Sequence, residues 1–284
     1  MRVYEAKVPR QAEGKRVDDY LGKAMPLLPQ HVIRDAFKNK DVKMSGKRVS
    51  RDACVTADAL VQVYTNFLPQ MPVVYEDNRI VIINKPAGIS CEADDWDGMT
   101  VQSVMLSRAG NAYTPRLCHR LDNQTSGLLL LCKDDESQQI LLDAFKYRKL
   151  TKIYQCLARG EMRPPSAVKE AYLVKDAESA KVRIVTHATP GAVPIATQYE
   201  TIAFDGTLSR LKVTLLTGRT HQIRAHMAFL SHPLLGDDKY GDRELNRRMK
   251  AVGNLKLCAT ELTLYPGGAL SYLDGMHFAI EPPF

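Results

Sequence analysis

From residue 80 onward the chain repeats short apolar runs of strand length, at 80–84, 128–132, 153–158, 171–174, 182–186, 199–204, 211–216 and 255–264. Only the stretches 100–108, 136–148, 219–231 and 243–251 between them carry helical character. So few helices among so many strands argue against a doubly wound parallel sheet. An α+β fold with one large, mostly antiparallel mixed sheet is expected. With 284 residues, 45% of them hydrophobic, the chain buries such a core without disulfide or metal staples.

The first 70 residues have a different texture. Residues 16–25 place Val17, Tyr20, Leu21 and Ala24 on one helical face, and Pro26 and Pro29 end that helix and open the next. A second helix over about 30–39 stacks Val32, Ile33, Ala36 and Phe37, and short alternating segments around Ser45-Gly46-Lys47 then read as a small β-hairpin structure. This quarter holds 13 Lys and Arg against 8 Asp and Glu, whereas residues 71–284 hold 26 against 24, so most of the +7 net charge is concentrated here. Asn66 to Pro72 is a proline-punctuated linker, which divides the chain into domains at 1–68 and 72–284.

The order helix, helix, hairpin, with Arg34, Lys38, Lys40, Lys43, Lys47 and Arg48 along the second helix and the hairpin, resembles the RNA-binding domain named after small-subunit ribosomal protein four. A basic helix and hairpin edge of this kind tracks phosphates without reading bases, which makes for salt-sensitive, sequence-tolerant affinity.

In the larger domain the most informative run is His119-Arg120-Leu121-Asp122-Asn123-Gln124-Thr125-Ser126-Gly127-Leu128-Leu129-Leu130-Leu131. A polar turn carrying Asp122 passes directly into a buried apolar strand, so the carboxylate stands on a rigid edge. Taken alone, such an Asp is more often an Asx-turn or a strand-start cap than a nucleophile. The full string, however, resembles the central motif of the RluA-type pseudouridine synthases. Three further segments follow the same family in order: Ile83-Asn84-Lys85-Pro86-Ala87-Gly88, Lys152-Ile153-Tyr154, and Gly218-Arg219-Thr220-His221-Gln222-Ile223-Arg224-Ala225-His226. With His232-Pro233-Leu234-Leu235-Gly236-Asp237 and Tyr240-Gly241, the resemblance spans residues 72–264.

The resemblance implies a pseudouridine-synthase fold with a central catalytic cleft. It also implies a reaction: isomerisation of uridine within RNA by breaking the bond from ribose to the ring nitrogen and rejoining the sugar to carbon 5, with no cofactor and no metal. It makes Asp122 the essential carboxylate, which attacks the anomeric carbon or the ring, or assists proton removal at the adjacent sugar carbon. Arg224 is its expected ion-pair partner, with Arg219 as runner-up. Tyr154 is the ring expected to stack on the target base, and Arg120 either fills the gap left by the flipped uridine or contacts a phosphate. Arg219 and His221 join Arg34, Lys38, Lys43, Lys47 and Arg48 as expected RNA contacts.

Competing chemistries lack their signatures. His221 and His226 are five apart with no Glu beside the first, which does not make a zinc helix, and Lys85-Pro86-Ala87-Gly88 lacks the GxxxxGK[ST] of a phosphate loop. A glycosidase needs a second carboxylate, and Asp237 and Asp238 read as a turn that caps structure. A non-catalytic RNA-binding or assembly protein on the same fold is the other alternative. The six cysteines show no CxxC pair, no run approaches about 18 apolar residues, and the N-terminus has no apolar leader segment, so a soluble, cytoplasmic, monomeric enzyme with reduced thiols is expected. Ribosomal RNA of the large subunit is the first-choice substrate and transfer RNA the second. The sequence departs from the family at the acidic segment 92–97 and at Leu257-Cys258-Ala259, which bears on substrate choice rather than chemistry.

Overall fold

The computed structural model describes residues 1–93, 99–176 and 181–284, so residues 94–97 of the acidic segment lie outside the described residues. In chain order the elements begin with β1 (Arg2–Lys7), α1 (Val17–Ala24), α2 (Gln30–Lys38), β2 (Val42–Met44), β3 (Lys47–Arg48) and β4 (Leu60–Thr65). Then come β5 (Val73–Glu76), β6 (Ile80–Lys85), α3 (Val101–Ala109), β7 (Arg116–Leu117), β8 (Ser126–Cys132) and α4 (Asp135–Lys146). The rest supplies β9 (Leu150–Arg159), β10 (Ser166–Asp176), β11 (Lys181–Val185), β12 (Val193–Phe204), β13 (Leu208–Leu215), α5 (Gln222–Phe229), α6 (Arg243–Arg248), β14 (Leu257–Leu264) and β15 (His277–Ala279).

By packing, the chain forms two compact units, Met1–Pro72 with Gly88–Leu117, and Val73–Ala87 with Cys118–Phe284. This grouping cuts differently from the linear division at 68–72. Residues 88–117 pack into the first unit, where the Met99 N–H donates to the Ala24 carbonyl at 3.1 Å.

In the first unit α1 buries Val17, Tyr20, Leu21 and Ala24, spaced for one helical face, and α2 buries Val32, Ile33 and Ala36. The four-stranded sheet runs β1-β4-β2-β3. Its β2–β3 hairpin turns through Ser45 and Gly46, both at positive φ (48° and 80°), the backbone twist that a two-residue hairpin requires. The charged segment Arg2–Lys7 is the one strand of this sheet without a sequence signal. It pairs along β4 at the sheet edge with a single buried side chain, Ala6, so it has almost no apolar pattern to read.

The second unit is built on one sheet in the order β11-β10-β12-β13-β9-β14-β8-β6-β5, with β15 on β14. Pairing along this path is antiparallel except between β14 and β8. All seven residues of β8 are buried, as its unbroken apolar run predicts for a strand covered on both faces. Leu128 and Leu130 pack with Ile80, Ile82, Leu262 and Leu141 of α4. That helix starts on Asp134, whose carboxylate accepts the Ser137 N–H and hydroxyl, both at 2.8 Å.

Gly127 is where β8 meets β14. Its φ is +114°, and a Cβ there would collide with the backbone of Ala259, its partner in register. Only glycine permits that approach. Gly127→Ala is expected to lower stability by at least about 3 kcal/mol in urea unfolding. Gly206→Ala, at φ +91° but with open space around it, should cost about 1–2 kcal/mol.

Two histidines make the fold sensitive to acid. Burial, with the Lys152 charge adding to it, pushes the His119 imidazole well below the usual histidine value. Burial and then Lys169 push His226 down to about 4. The unfolded chain takes up these protons near pH 6.5 (about the free value) whereas the folded protein resists them. Stability is therefore full above about pH 6.5 and falls as pH drops toward 4, His226 alone accounting for about 1–2 kcal/mol of the loss near pH 5. Urea titrations near pH 7.5 and pH 5 check this, and His226→Gln should show a smaller acid loss than wild type.

Candidate active site

Asp122 precedes β8 in a loop tied down at three points, all within the second unit. His119 Nε2 accepts the Leu130 N–H at 3.0 Å while its ring packs on Phe145, with centroids 4.7 Å apart. The Thr125 N–H donates to the Asp122 carbonyl at 3.0 Å and closes the turn. Lys85, fully buried at the end of β6, donates from Nζ to the carbonyls of Asn123 (3.1 Å) and Pro86 (3.0 Å). A buried ammonium spent on main-chain carbonyls fixes the peptide beside Asp122, so the carboxylate is positioned by rigid structure rather than by its own contacts.

The opposing charge comes from α5. Its first residue, Gln222, is buried and accepts from Thr217 Oγ1 (2.9 Å) and the Arg219 N–H (3.1 Å), while donating to Ala196 O (3.1 Å) and Thr197 Oγ1 (3.0 Å). This fastens the helix start to β12. Two residues on, Arg224 is 3% exposed. Its Nε and Nη2 reach the two oxygens of Asp237 at 2.8 and 2.9 Å, Nη2 also reaches Asp238 at 3.0 Å, and Nη1 lies 3.4 Å from Asp122 Oδ2.

Burial opposes the charge on Arg224, but the hydrogen bond and charge of Asp237, joined by Asp122, outweigh it and raise its pKa. Burial likewise works to raise Asp237, yet Arg224 and the N–H groups of Tyr240 and Lys239 hold its pKa below the ordinary value. One edge of the guanidinium is thus committed to Asp237, and the remaining nitrogen is turned to Asp122.

His221, at the N-cap of α5 in the left-handed conformation (φ 54°), adds a second group to the same oxygen: its Nε2 lies 3.8 Å from Asp122 Oδ2. The other ring nitrogen, Nδ1, is 2.9 Å from the Tyr240 hydroxyl, which also accepts the Val182 N–H at 2.9 Å. Arg224 and His221 converge on Oδ2, and among the described residues no hydrogen bond reaches Oδ1. Asp122 is 22% exposed at its side chain, so it is held and still open.

Tyr154 is buried in β9, opposite Val213 and Ala259. Ala259 in turn opposes Gly127, and Gly127 opposes Lys85, so Tyr154 lies three strand spacings, about 14 Å, along one row from the lysine that fixes the Asp122 loop. Arg120 is exposed, and Arg219 is exposed and precedes α5. Arg219 is therefore separated from Arg224 by its place outside the helix, and not by helical rotation. In the first unit Arg34 and Lys38 lie exposed on α2, Lys47 and Arg48 lie exposed on β3, and Lys43 on β2 lays its Nζ 4.8 Å over the Tyr64 ring.

Sequence reasoning missed Asp237, Asp238 and Tyr240 as members of the site. The Gly236-Asp237-Asp238 turn does cap local N–H groups, as expected of it, but Asp237 is 1% exposed and is the main partner of Arg224. The signal was Gly236 beside the acid: at φ +82°, with Asn254 backbone where a Cβ would stand, it marks a turn pressed into the interior rather than a surface loop. His226 bonds Thr197 Oγ1 at 3.0 Å, so it and His221 serve different partners.

The sequence profile of the RNA pseudouridylate synthase family matches residues 79–229. The ribosomal large subunit pseudouridine synthase D of Yersinia pestis is 31% identical over 252 residues, which cover 84% of this chain and 76% of that protein. Its counterpart in Salmonella typhimurium is 31% identical over 286 residues, 92% of this chain and 86% of the relative. Among solved structures, human RNA pseudouridylate synthase domain containing 1 superposes with a TM-score of 0.63 at 23% identity, over 78% of this chain and 87% of that one. Human RNA pseudouridylate synthase domain containing 4 gives 0.62 at 23%, over 75% and 88%. These two share the fold, and the profile and the bacterial relatives establish more: the chain belongs to the RNA pseudouridylate synthase family, enzymes that isomerise uridine to pseudouridine.

Proposed function

We propose that this chain isomerises uridine in the ribosomal RNA of the large subunit, with Asp122 as the catalytic carboxylate. The observation that carries the chemical part is the asymmetric hold on Asp122, whose Oδ2 faces Arg224 and His221 while Oδ1 is left for the substrate. The RNA part rests on the bacterial relatives, whose names specify the large ribosomal subunit.

The reaction conserves every atom: the bond from C1′ to N1 breaks, the uracil turns, and C1′ joins C5, whose proton then leaves while N1 ends carrying one. Whether the carboxylate acts on the sugar, on the ring or on a sugar proton, it acts in its ionised form, with the Arg224 guanidinium 3.4 Å from its Oδ2. Tyr154 supplies the aromatic face for the base. Arg120, two residues before Asp122 and exposed, is placed to occupy the stack that a flipped uridine leaves.

The α2 face and the β2–β3 hairpin, with Arg34, Lys38, Lys43, Lys47 and Arg48, form the S-four-like element that tracks phosphates. A ribosomal substrate goes with a monomeric enzyme acting in the cytoplasm.

Pseudouridine mapping in total RNA from a strain lacking the gene tests this reading. One or a few sites in large-subunit ribosomal RNA should vanish, returning with wild type and not with Asp122→Ala. Restoration by Asp122→Ala, or a map with no change, would overturn it. Arg224→Lys retains the charge but cannot span Asp237 and Asp122 together, so kcat should fall by about a hundredfold or more with the fold retained. Single-turnover assays on a ribosomal RNA fragment, with circular dichroism of the same sample, measure both.

A further inference from the structure

The hydrogen count around Tyr240 has a consequence for Asp122. The Tyr240 hydroxyl carries one hydrogen and two lone pairs. The Val182 N–H, on the strand that ends the sheet, is a fixed donor at 2.9 Å and occupies one lone pair. His221 Nδ1 is the other partner, also at 2.9 Å. If Nδ1 carried the imidazole hydrogen, the oxygen would accept twice and its own hydrogen would have no acceptor among these groups. If Nδ1 is bare, the hydroxyl donates to it and all three groups are satisfied. The imidazole hydrogen then sits on Nε2, the atom 3.8 Å from Asp122 Oδ2.

We infer that Tyr240 is a positioning residue that, anchored by the Val182 N–H, fixes His221 in its Nε2–H tautomer so that a neutral N–H dipole, beside the Arg224 charge, faces Asp122. The inference rests on the reading of Asp122 as the catalytic carboxylate. At 3.8 Å the contact is longer than a hydrogen bond, and the N–H dipole turns its positive end toward the carboxylate oxygen. Burial lowers the affinity of His221 for a second proton, which keeps the ring neutral near pH 8.

The rest of Tyr240 is held for the same purpose. Its N–H donates to Asp237 Oδ1 at 3.0 Å, its ring lies 5.5 Å from the Arg224 guanidinium, and it packs against the cluster of Leu173, Ile184, Ile195 and Ala225. Tyr240 therefore touches both groups that face Asp122 Oδ2, His221 through its hydroxyl and Arg224 through its ring. In this arrangement His221 accepts from Tyr240 at Nδ1 and presents a donor, not a base, to Asp122 at Nε2.

The test is a nitrogen-15 spectrum of the full chain labelled at histidine, recorded near pH 8 without RNA, with His221 assigned by its loss in His221→Gln. The inference expects the Nε2–H pattern in wild type and a mixed or Nδ1–H pattern in Tyr240→Phe, which keeps the ring and removes the hydroxyl. A wild-type Nδ1–H pattern, or an unchanged pattern in Tyr240→Phe, overturns it. Because no substrate is present, this readout decides on the tautomer whichever RNA the enzyme modifies.

In turnover, Tyr240→Phe should lower kcat about five- to tenfold with KM for RNA unchanged. His221→Gln keeps an amide donor that needs no tautomer, so adding Tyr240→Phe to it should have little further effect. A full loss in both backgrounds would assign Tyr240 a merely structural role.

Discussion

The geometry around Asp122 depends on one ionic contact, the fork of Arg224 on Asp237. Both side chains are buried, and burying two charges is unfavourable unless geometry and further hydrogen bonds compensate. Here they do. Two parallel N–H···O bonds at 2.8 and 2.9 Å join the pair, and the N–H groups of Lys239 and Tyr240 complete Asp237 at 2.8 and 3.0 Å. Once that fork is formed the guanidinium cannot rotate, and Nη1 faces Asp122. Asp237 acts through the direction it imposes on Arg224, and removal of either partner would strand a buried charge at a penalty of about 3–5 kcal/mol.

Asp122 is held differently. Among the described residues its side chain has no donor closer than 3.4 Å, yet its backbone is clamped by His119, Lys85 and Thr125 around the first residues of β8. Precision thus lies in the main chain and in Arg224, while Oδ1 of the carboxylate accepts no hydrogen bond from the described residues. The parallel seam of β14 on β8 at Ser126 and Gly127 is part of the same device, because Gly127 admits Ala259 at a distance no other residue allows. The Asp122 turn and Gly127 at the start of β8 are one structural unit.

Much of the fold was legible. The apolar runs became strands with ends displaced by a few residues, and the helical runs at 136–148 and 243–251 became α4 and α6. The misses have identifiable causes. Arg2–Lys7 is an edge strand with one buried side chain and so has no periodic signal, and α3 groups with the first unit through a main-chain bond, Met99 to Ala24, that no side-chain pattern encodes. Tyr240 was visible only as part of a motif, because its hydroxyl acts on residues 19 and 58 positions away.

By itself the sequence determined the fold class, the family, and the presence of an Asp, an Arg and a Tyr in family order, because periodicity, turn chemistry and motif spacing are local properties of a chain. Only the tertiary structure decided which groups face which. Arg224 meets Asp237 across 13 residues and Asp122 across 102, and the free oxygen of Asp122 exists only because both of its neighbours arrive from one side. Direction in space is set by how α5, β8 and the Asp237 turn pack around a common core, and packing depends on contacts that no stretch of sequence contains.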